Sequence, residues 1–203
     1  MNRYLLAILI IVSSLTVQSC ENRKFTQSIT FAVDEDYMIQ ISGANTFDMF
    51  FTRQDIIAQL NFPEQMRVTK VSIESISGTL SSNPSNQAAF FHSSGQIDKP
   101  NGKVQAWDSE GGFIPIPFPV IEPTFNIANS AIQEGIEELA NQIFDALSDE
   151  NDTSTLALEI TVKPEAGKLL AINANFKIVA SVEYEYCQEV PPFFSEDGEE
   201  CDL

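Results

Sequence analysis

The strongest constraint on the fold is a strict alternation of apolar and polar residues in the last third of the chain. In "TLALEITVK", the apolar residues are Leu156, Leu158, Ile160 and Val162. After the turn "PEAGK" a longer run alternates in the same way, with Ile172, Ala174, Phe176, Ile178, Ala180, Val182, Tyr184 and Tyr186 on one face. A period of two is typical of a strand with one buried side. The pattern predicts a long antiparallel hairpin whose dry face needs a cover.

Shorter strands and one helix complete the predicted domain. Residues 26–33 and 37–42 are typical of strands separated by an acidic turn, and "TFDMFF", "VTKVSIESISGTLS", "QAAFFHSSGQI" and "KVQAW" indicate further strands. Apolar residues at steps of three and four predict an amphipathic helix at about residues 126–148, with Thr124 or Asn126 as its cap. We therefore predict a mainly β protein, an antiparallel β-sandwich at residues 26–187 with one amphipathic α-helix inserted between strands.

Residues 1–19 have the three-part build of a secretory signal peptide. Arg3 supplies a positive charge, Leu5–Val12 is an uninterrupted apolar run, and Ser13–Ser19 is small and polar. The apolar run is shorter than the roughly 20 residues that a membrane-spanning helix needs. A retained anchor helix is the alternative interpretation.

The residues Val17-Gln18-Ser19-Cys20 resemble the lipobox of bacterial lipoproteins, in the loosened form found in Bacteroidota. The resemblance covers about the first 20 residues. It implies a diacylglycerol on the thiol of Cys20, removal of residues 1–19 and a lipidated tether at residues 20–25. Several acyl chains give stable anchoring. Glu21, rather than an aspartate, follows the cysteine, and in lipoproteins of enteric bacteria this implies transfer to the outer membrane, on its periplasmic or its cell-surface face. An ordinary cleaved signal with a cysteine nearby is the alternative.

The charge of the chain excludes one class of partner. The sequence has 29 acidic and 11 basic residues, and removal of the signal takes away Arg3 and no acid. A surface this acidic repels phosphate backbones, which nucleic-acid-binding proteins contact through basic patches. We therefore expect no nucleic-acid partner. The remaining chain has the length of one domain.

Two cysteines, Cys187 and Cys201, lie near the end of the sequence. In an oxidising, exported setting an even pair is typical of one disulfide. Closing a loop of about 15 residues stabilises the folded state by about 3 kcal/mol in the chain-entropy model. The bridge is expected to hold the acidic tail, residues 188–203, to the preceding strand.

The sequence offers little for catalysis. His92 is the only histidine, and no nucleophile-elbow sequence accompanies it, so a packed histidine is the preferred interpretation over a catalytic base. The acidic runs at residues 34–36, 145–152 and 196–200 match no calcium-binding loop and are interpreted as solvated charge. We expect no enzyme activity, no cofactor and no metal site.

The segment "GGFIPIPFPVIEPTF" contains four prolines and therefore cannot form a central strand. One interpretation is a strap that covers the edge of the sandwich and leads into the helix. The other is an apolar docking surface for a partner or a lipid tail, formed by Phe113, Ile116, Phe118 and Val120.

Two functions remain open from the sequence. The first is a lipid-anchored, non-enzymatic binding or structural module of the bacterial cell envelope, with an envelope protein as its partner. The second is a carrier that holds a hydrophobic ligand between the helix and the sheet. An apolar cavity under the helix would favour the carrier, and a filled core would favour the module.

Overall fold

The computed structural model describes residues 21–63, 66–109, 114–116, 124–126, 131–149, 155–190 and 201. Within these residues the chain forms nine β-strands and two α-helices. The strands are β1 (Glu21–Ile41), β2 (Asn45–Thr52), β3 (Met66–Ser82), β4 (Phe90–Lys99), β5 (Gly102–Asp108), β6 (Ile114–Pro115), β7 (Thr124–Asn126), β8 (Thr155–Pro164) and β9 (Leu170–Val190). The helices are α1 (Arg53–Ile57) and α2 (Gln133–Ser148).

The strands form two sheets, and the chain passes repeatedly from one to the other. The first sheet has the order β1-β9-β3-β7 and the second the order β2-β8-β4-β5, with β6 paired to β4 outside this order. Strands β4, β5 and β6 stay in the second sheet, and every other connection between successive strands crosses from one sheet to the other. Without β6, the remaining eight strands have the arrangement of a jelly roll. The predicted antiparallel β-sandwich with a helix inserted between strands is confirmed.

Both sheets turn their apolar faces to a common core. Burial alternates along β8 and along β9 from Ile172 to Tyr184, as the sequence predicts. Within the first sheet, the ring of Tyr37 on β1 contacts that of Phe176 on β9 edge-on, with 5.8 Å between the ring centroids. The largest fully buried side chains from the strands include Ile39, Met49, Phe51, Phe91, Ile97, Trp107, Leu158, Ile160 and Phe176.

The predicted hairpin of the last third is wrong. Strand β8 pairs with β2 and β4 in the second sheet, whereas β9 lies between β1 and β3 in the first. The turn at residues 165–169, with Gly167 at φ 73°, carries the chain across the sandwich. A strand that buries one face alternates in the same way whether the next strand pairs with it or faces it across the core, so the periodicity fits both arrangements.

The predicted acidic turn at residues 34–36 is also wrong, because β1 runs through it without a break. Phe31 and Val33, before the acidic residues, and Ile39, after them, are all buried on the same face of the strand. Glu35 lies on this face and accepts a hydrogen bond from the Tyr37 hydroxyl at 3.0 Å. Burial first, and then this bond to Glu35, raises the pKa of Tyr37 above its usual value.

Helix α2 begins later than predicted. Thr124 and Asn126, predicted as helix caps, belong to strand β7, which pairs with residues 77–79 of β3. The helix begins at Gln133, and its N-cap is Ile132, whose side chain makes no capping bond. Its backbone N–H instead donates to the carbonyl of Ala106 on β5 at 2.8 Å, so the sheet edge fixes the start of the helix.

Contacts divide the chain into two compact units. One consists of Ser28–Phe62 and Val68–Glu183 and contains both helices, the strands β2 and β4 to β8, and the larger parts of β1, β3 and β9. The other consists of Met1–Gln27, Pro63–Arg67 and Tyr184–Leu203. Residues 21–25, which the sequence assigns to a tether, form the beginning of β1 instead.

Within the second of these units, short-range contacts join the beginning of β1 to the end of β9. The rings of Phe25 and Tyr186 lie 5.7 Å apart, and the Tyr184 hydroxyl donates to Oε1 of Gln27 at 2.9 Å. The predicted disulfide is confirmed: Cys187 is bonded to Cys201, with 6.0 Å between their Cα atoms.

Candidate functional site

Several predicted site residues lie outside the described part of the chain. They are the lipidation residue Cys20 and, in the proline-rich segment, Phe113, Phe118 and Val120. Ile116 is described, and it is buried, so the prediction that it is displayed for docking is wrong. Its backbone N–H donates to the carbonyl of Ala89 at 2.9 Å. At this point the segment covers the beginning of β4, because Ile114 and Ile116 face inward while Pro115, which lacks an N–H, faces out.

His92 stands beside two serines, but their hydroxyl groups are buried and already bonded. The ring nitrogen Nδ1 of His92 lies 3.4 Å from the carbonyl oxygen of Ser109. Ser109 accepts a hydrogen bond from the backbone N–H of Ser93 at 2.7 Å, and Ser93 accepts one from Nε1 of Trp107 at 3.3 Å. Both serines are almost fully buried. They join β4 to the end of β5 and present no nucleophile to a substrate.

Helix α2 lies close against the edge of the second sheet. A Cβ atom at Gly135 would overlap the backbone of Gln105 and Ala106 on β5, so helix and strand are in direct contact there. The buried face of the helix continues through Leu139, Ile143, Ala146 and Leu147. At this contact there is no room for an apolar ligand between helix and sheet.

Ion pairs hold the outer side of the same helix. The ammonium group of Lys99, on β4, lies 3.4 Å from a carboxylate oxygen of each of Glu134 and Glu138. Gln142 donates to the carbonyl of Asp98 at 2.6 Å. Exposed pairs of this kind each contribute little to stability, but together they fix the helix over the β4–β5 turn.

Polar side chains converge at a shallow groove on the first sheet. It has a volume of about 150 Å³ and is lined by Asp36 on β1, Thr79, Leu80 and Ser81 on β3, and Asn173, Ala174 and Asn175 on β9. Leu80 and Ala174 are buried, so their side chains belong to the core and they contribute main-chain atoms to the groove. The side chains that line the groove are therefore one carboxylate, two carboxamides and two hydroxyls.

Asn175 is held in one orientation within this groove. Its Nδ2 donates to Oδ2 of Asp34 and to Oδ1 of Asp36, each at 3.1 Å. Both N–H groups of the amide are then used, which leaves its oxygen as an acceptor. Thr79, Ser81 and Asn173 also line the groove and form no side-chain hydrogen bond to another described residue.

The sequence does not predict this groove, because its lining comes from three strands that are far apart in sequence. Two signals were present. Asn173 and Asn175 occupy the polar phase of β9, and the acidic residues 34–36 stand out on β1. Neither signal predicts that the strands are neighbours, since that requires the order β1-β9-β3.

The described part of the chain contains neither a metal-binding group of side chains nor a membrane-spanning helix. Among those residues, no group of three or more His, Cys, Asp or Glu side chains is placed to hold a metal ion. None of the helices found there has the length and apolar character needed to cross a membrane.

No protein-family model and no curated protein sequence matches the chain. Among solved structures it is similar to the BFDV capsid protein in its 60-mer, with 10% identity over 85% of this chain and 98% of that chain and a TM-score of 0.32. It is similar to a protein of infectious bursal disease virus, Gx strain, with 13% identity over 82% and 37% of the two chains and a TM-score of 0.32. It is also similar to a protein of turnip yellow mosaic virus, with 12% identity over 81% of this chain and 96% of that chain and a TM-score of 0.25. Similarity at this level assigns neither a family nor a function.

Proposed function

We propose that this protein is a lipid-anchored, exported protein of the bacterial cell envelope that acts as a non-enzymatic binding or structural module. The anchor is an acylated Cys20, and the location is the outer membrane. The groove on the first sheet is the candidate binding surface.

The observation that carries this proposal is the disulfide between Cys187 and Cys201. Disulfides form and persist in oxidising compartments and are rare in reducing ones. An exported location is also what the signal-like residues 1–19 and the lipobox-like residues before Cys20 imply. Two features from opposite ends of the sequence therefore support the same compartment.

The absence of a catalytic role is supported by the surroundings of the only histidine. The two serines close to His92 are buried, and their hydroxyls accept hydrogen bonds from the backbone of Ser93 and the indole of Trp107. Nucleophilic catalysis needs a hydroxyl within reach of both a base and a substrate. Ser93 and Ser109 do not meet the second condition.

Contact between α2 and β5 favours the module over the ligand carrier. At Gly135 the helix backbone touches the strand backbone, and the next buried positions of the helix are filled by apolar side chains. A carrier of hydrophobic ligands needs a sizeable apolar cavity. The close contact leaves no entrance to one at this end of the helix.

The proposal is tested by mass spectrometry of the protein from its native host, together with membrane fractionation. The expected N-terminus is a triacylated Cys20, and the protein is expected in the outer-membrane fraction. Cys20→Ala is expected to release it into a soluble fraction or leave it unprocessed, with the Cys187–Cys201 disulfide intact. A native protein that keeps Met1 and has free thiols at Cys187 and Cys201 would contradict the proposal.

A further inference from the structure

We propose that the groove between β1, β9 and β3 binds one ring of a neutral sugar. This inference rests on the proposed binding function and adds the chemical class of the ligand. It is argued from the size of the groove, from the side chains that line it and from the charge around it.

The size of the groove limits the ligand. Its volume of about 150 Å³ is well below the roughly 300–1,000 Å³ of pockets that enclose drug-sized molecules. The groove is open to solvent along the sheet face, and Asp36, Thr79 and Asn173 are exposed. A small cyclic molecule, or one unit of a longer chain that continues into solvent, fits such a site.

The lining excludes two classes of ligand. A phosphate or carboxylate needs cationic partners or convergent N–H donors, whereas the charged side chain of the lining is the carboxylate of Asp36. The neighbouring carboxylate of Asp34, bonded to Asn175, adds a second negative charge. A hydrophobic ligand needs apolar side chains, but the apolar residues of the lining, Leu80 and Ala174, turn their side chains into the core.

The remaining groups match neighbouring hydroxyls. Each hydroxyl of a sugar both donates and accepts a hydrogen bond, and it is best bound by a mixture of acceptors and donors at fixed positions. Asp36 and the amide oxygen of Asn175 are acceptors, the amide of Asn173 can donate and accept, and Thr79 and Ser81 can do either. The two bonds from Asn175 to Asp34 and Asp36 orient the side chains of Asn175 and Asp36 before a ligand arrives, which lowers the entropy cost of binding.

The test is an NMR titration of the ¹⁵N-labelled protein with glucose, mannose, galactose and N-acetylglucosamine, each added separately. We expect saturable shifts of the side-chain amide signals of Asn173 and Asn175 with at least one sugar. The expected dissociation constant is on the order of 1 mM, because a few solvent-exposed hydrogen bonds supply the affinity.

Asn173→Ala and Thr79→Ala are each expected to weaken this binding by about three- to tenfold, the loss of one hydrogen bond. Asn45→Ala is the matched control: Asn45 is an exposed asparagine on β2, in the other sheet, and its replacement should leave binding unchanged. Circular dichroism should show the same melting temperature for all three variants.

The absence of any saturable shift with all four sugars would overturn the inference. Saturable shifts at the groove with calcium chloride or with ethanolamine, but with none of the sugars, would also overturn it and assign the groove to a cation. Neither result bears on the anchor, whose failure would appear instead as an unmodified Cys20 in the mass spectrum.

Discussion

The indole ring of Trp107 lies directly against Gly95 on the neighbouring strand. The two residues are paired in the β4–β5 ladder, at the point where its register shifts. A Cβ atom at Gly95 would overlap the ring atoms Cε3, Cζ3 and Cη2 of the indole. Trp107 is fully buried and is the only tryptophan of the chain, so this contact can be followed by fluorescence.

Gly95→Ala is therefore expected to destabilise the fold. The added methyl group must push the indole ring away, and overpacking of this kind costs about 1–3 kcal/mol. Urea denaturation monitored by the fluorescence of Trp107 measures the change. Gly43→Ala is the control, because nothing lies within 4 Å of a Cβ atom at Gly43. Equal free energies of unfolding for the two variants would contradict the contact.

Gly135→Ala tests the contact between α2 and β5. In an exposed helix interior this substitution stabilises by about 1 kcal/mol, because alanine has the higher helix propensity. Here the new methyl group meets the backbone of Gln105 and Ala106, so we expect a lower melting temperature. Asn141→Ala, at an exposed position of the same helix, should raise the melting temperature slightly or leave it unchanged. A stabilised Gly135→Ala variant would show that space exists under the helix and would restore the ligand carrier.

The disulfide gives a third prediction. Replacing both Cys187 and Cys201 with serine removes the closure of a loop of about 15 residues, for which the chain-entropy model gives about 3 kcal/mol. We expect a lower melting temperature for the variant, and the same decrease for the unaltered protein after full reduction. A reductant that lowers the melting temperature of the double variant as well would show that the effect has another source.

A capping box at the beginning of α1 makes stability depend on pH. Asp55 accepts hydrogen bonds from the backbone N–H and from the hydroxyl of Thr52, each at 2.8 Å, and these bonds lower the pKa of Asp55. A carboxyl whose pKa is lower in the folded state stabilises the fold above its unfolded pKa. This contribution is lost as the pH falls through the folded value.

Thr52→Ala is expected to cost about 1 kcal/mol at neutral pH, as is usual for a lost N-cap. The difference from the unaltered protein should shrink in acid, where Asp55 is protonated. Urea denaturation at neutral pH and again below the ordinary carboxyl range measures both values. A difference that stays constant across this range would show that the Thr52–Asp55 bonds do not persist in solution.

The class of the fold could be predicted from the sequence, and its connections could not. The alternation that starts at Leu156 and again after Leu170 reports which face of each strand is dry, and the structure confirms it. The alternation contains no information about which strand lies alongside. It therefore predicts one hairpin for β8 and β9, although they lie in opposite sheets. Pairing depends on where the turns direct the chain, which is a property of the whole fold.

The errors at β1 and α2 have a different origin. The acidic residues 34–36 resemble a turn because charged residues are uncommon in strands, but Asn175 on β9 bridges Asp34 and Asp36 and makes their side chains part of the sheet surface. The start of α2 follows from the bond between Ile132 and Ala106 rather than from a capping side chain. In both cases a partner distant in sequence outweighs the local preference.

Strand β1 begins at Glu21, one residue after the proposed acylated cysteine. An acyl chain on Cys20 would therefore be attached directly next to an ordered strand.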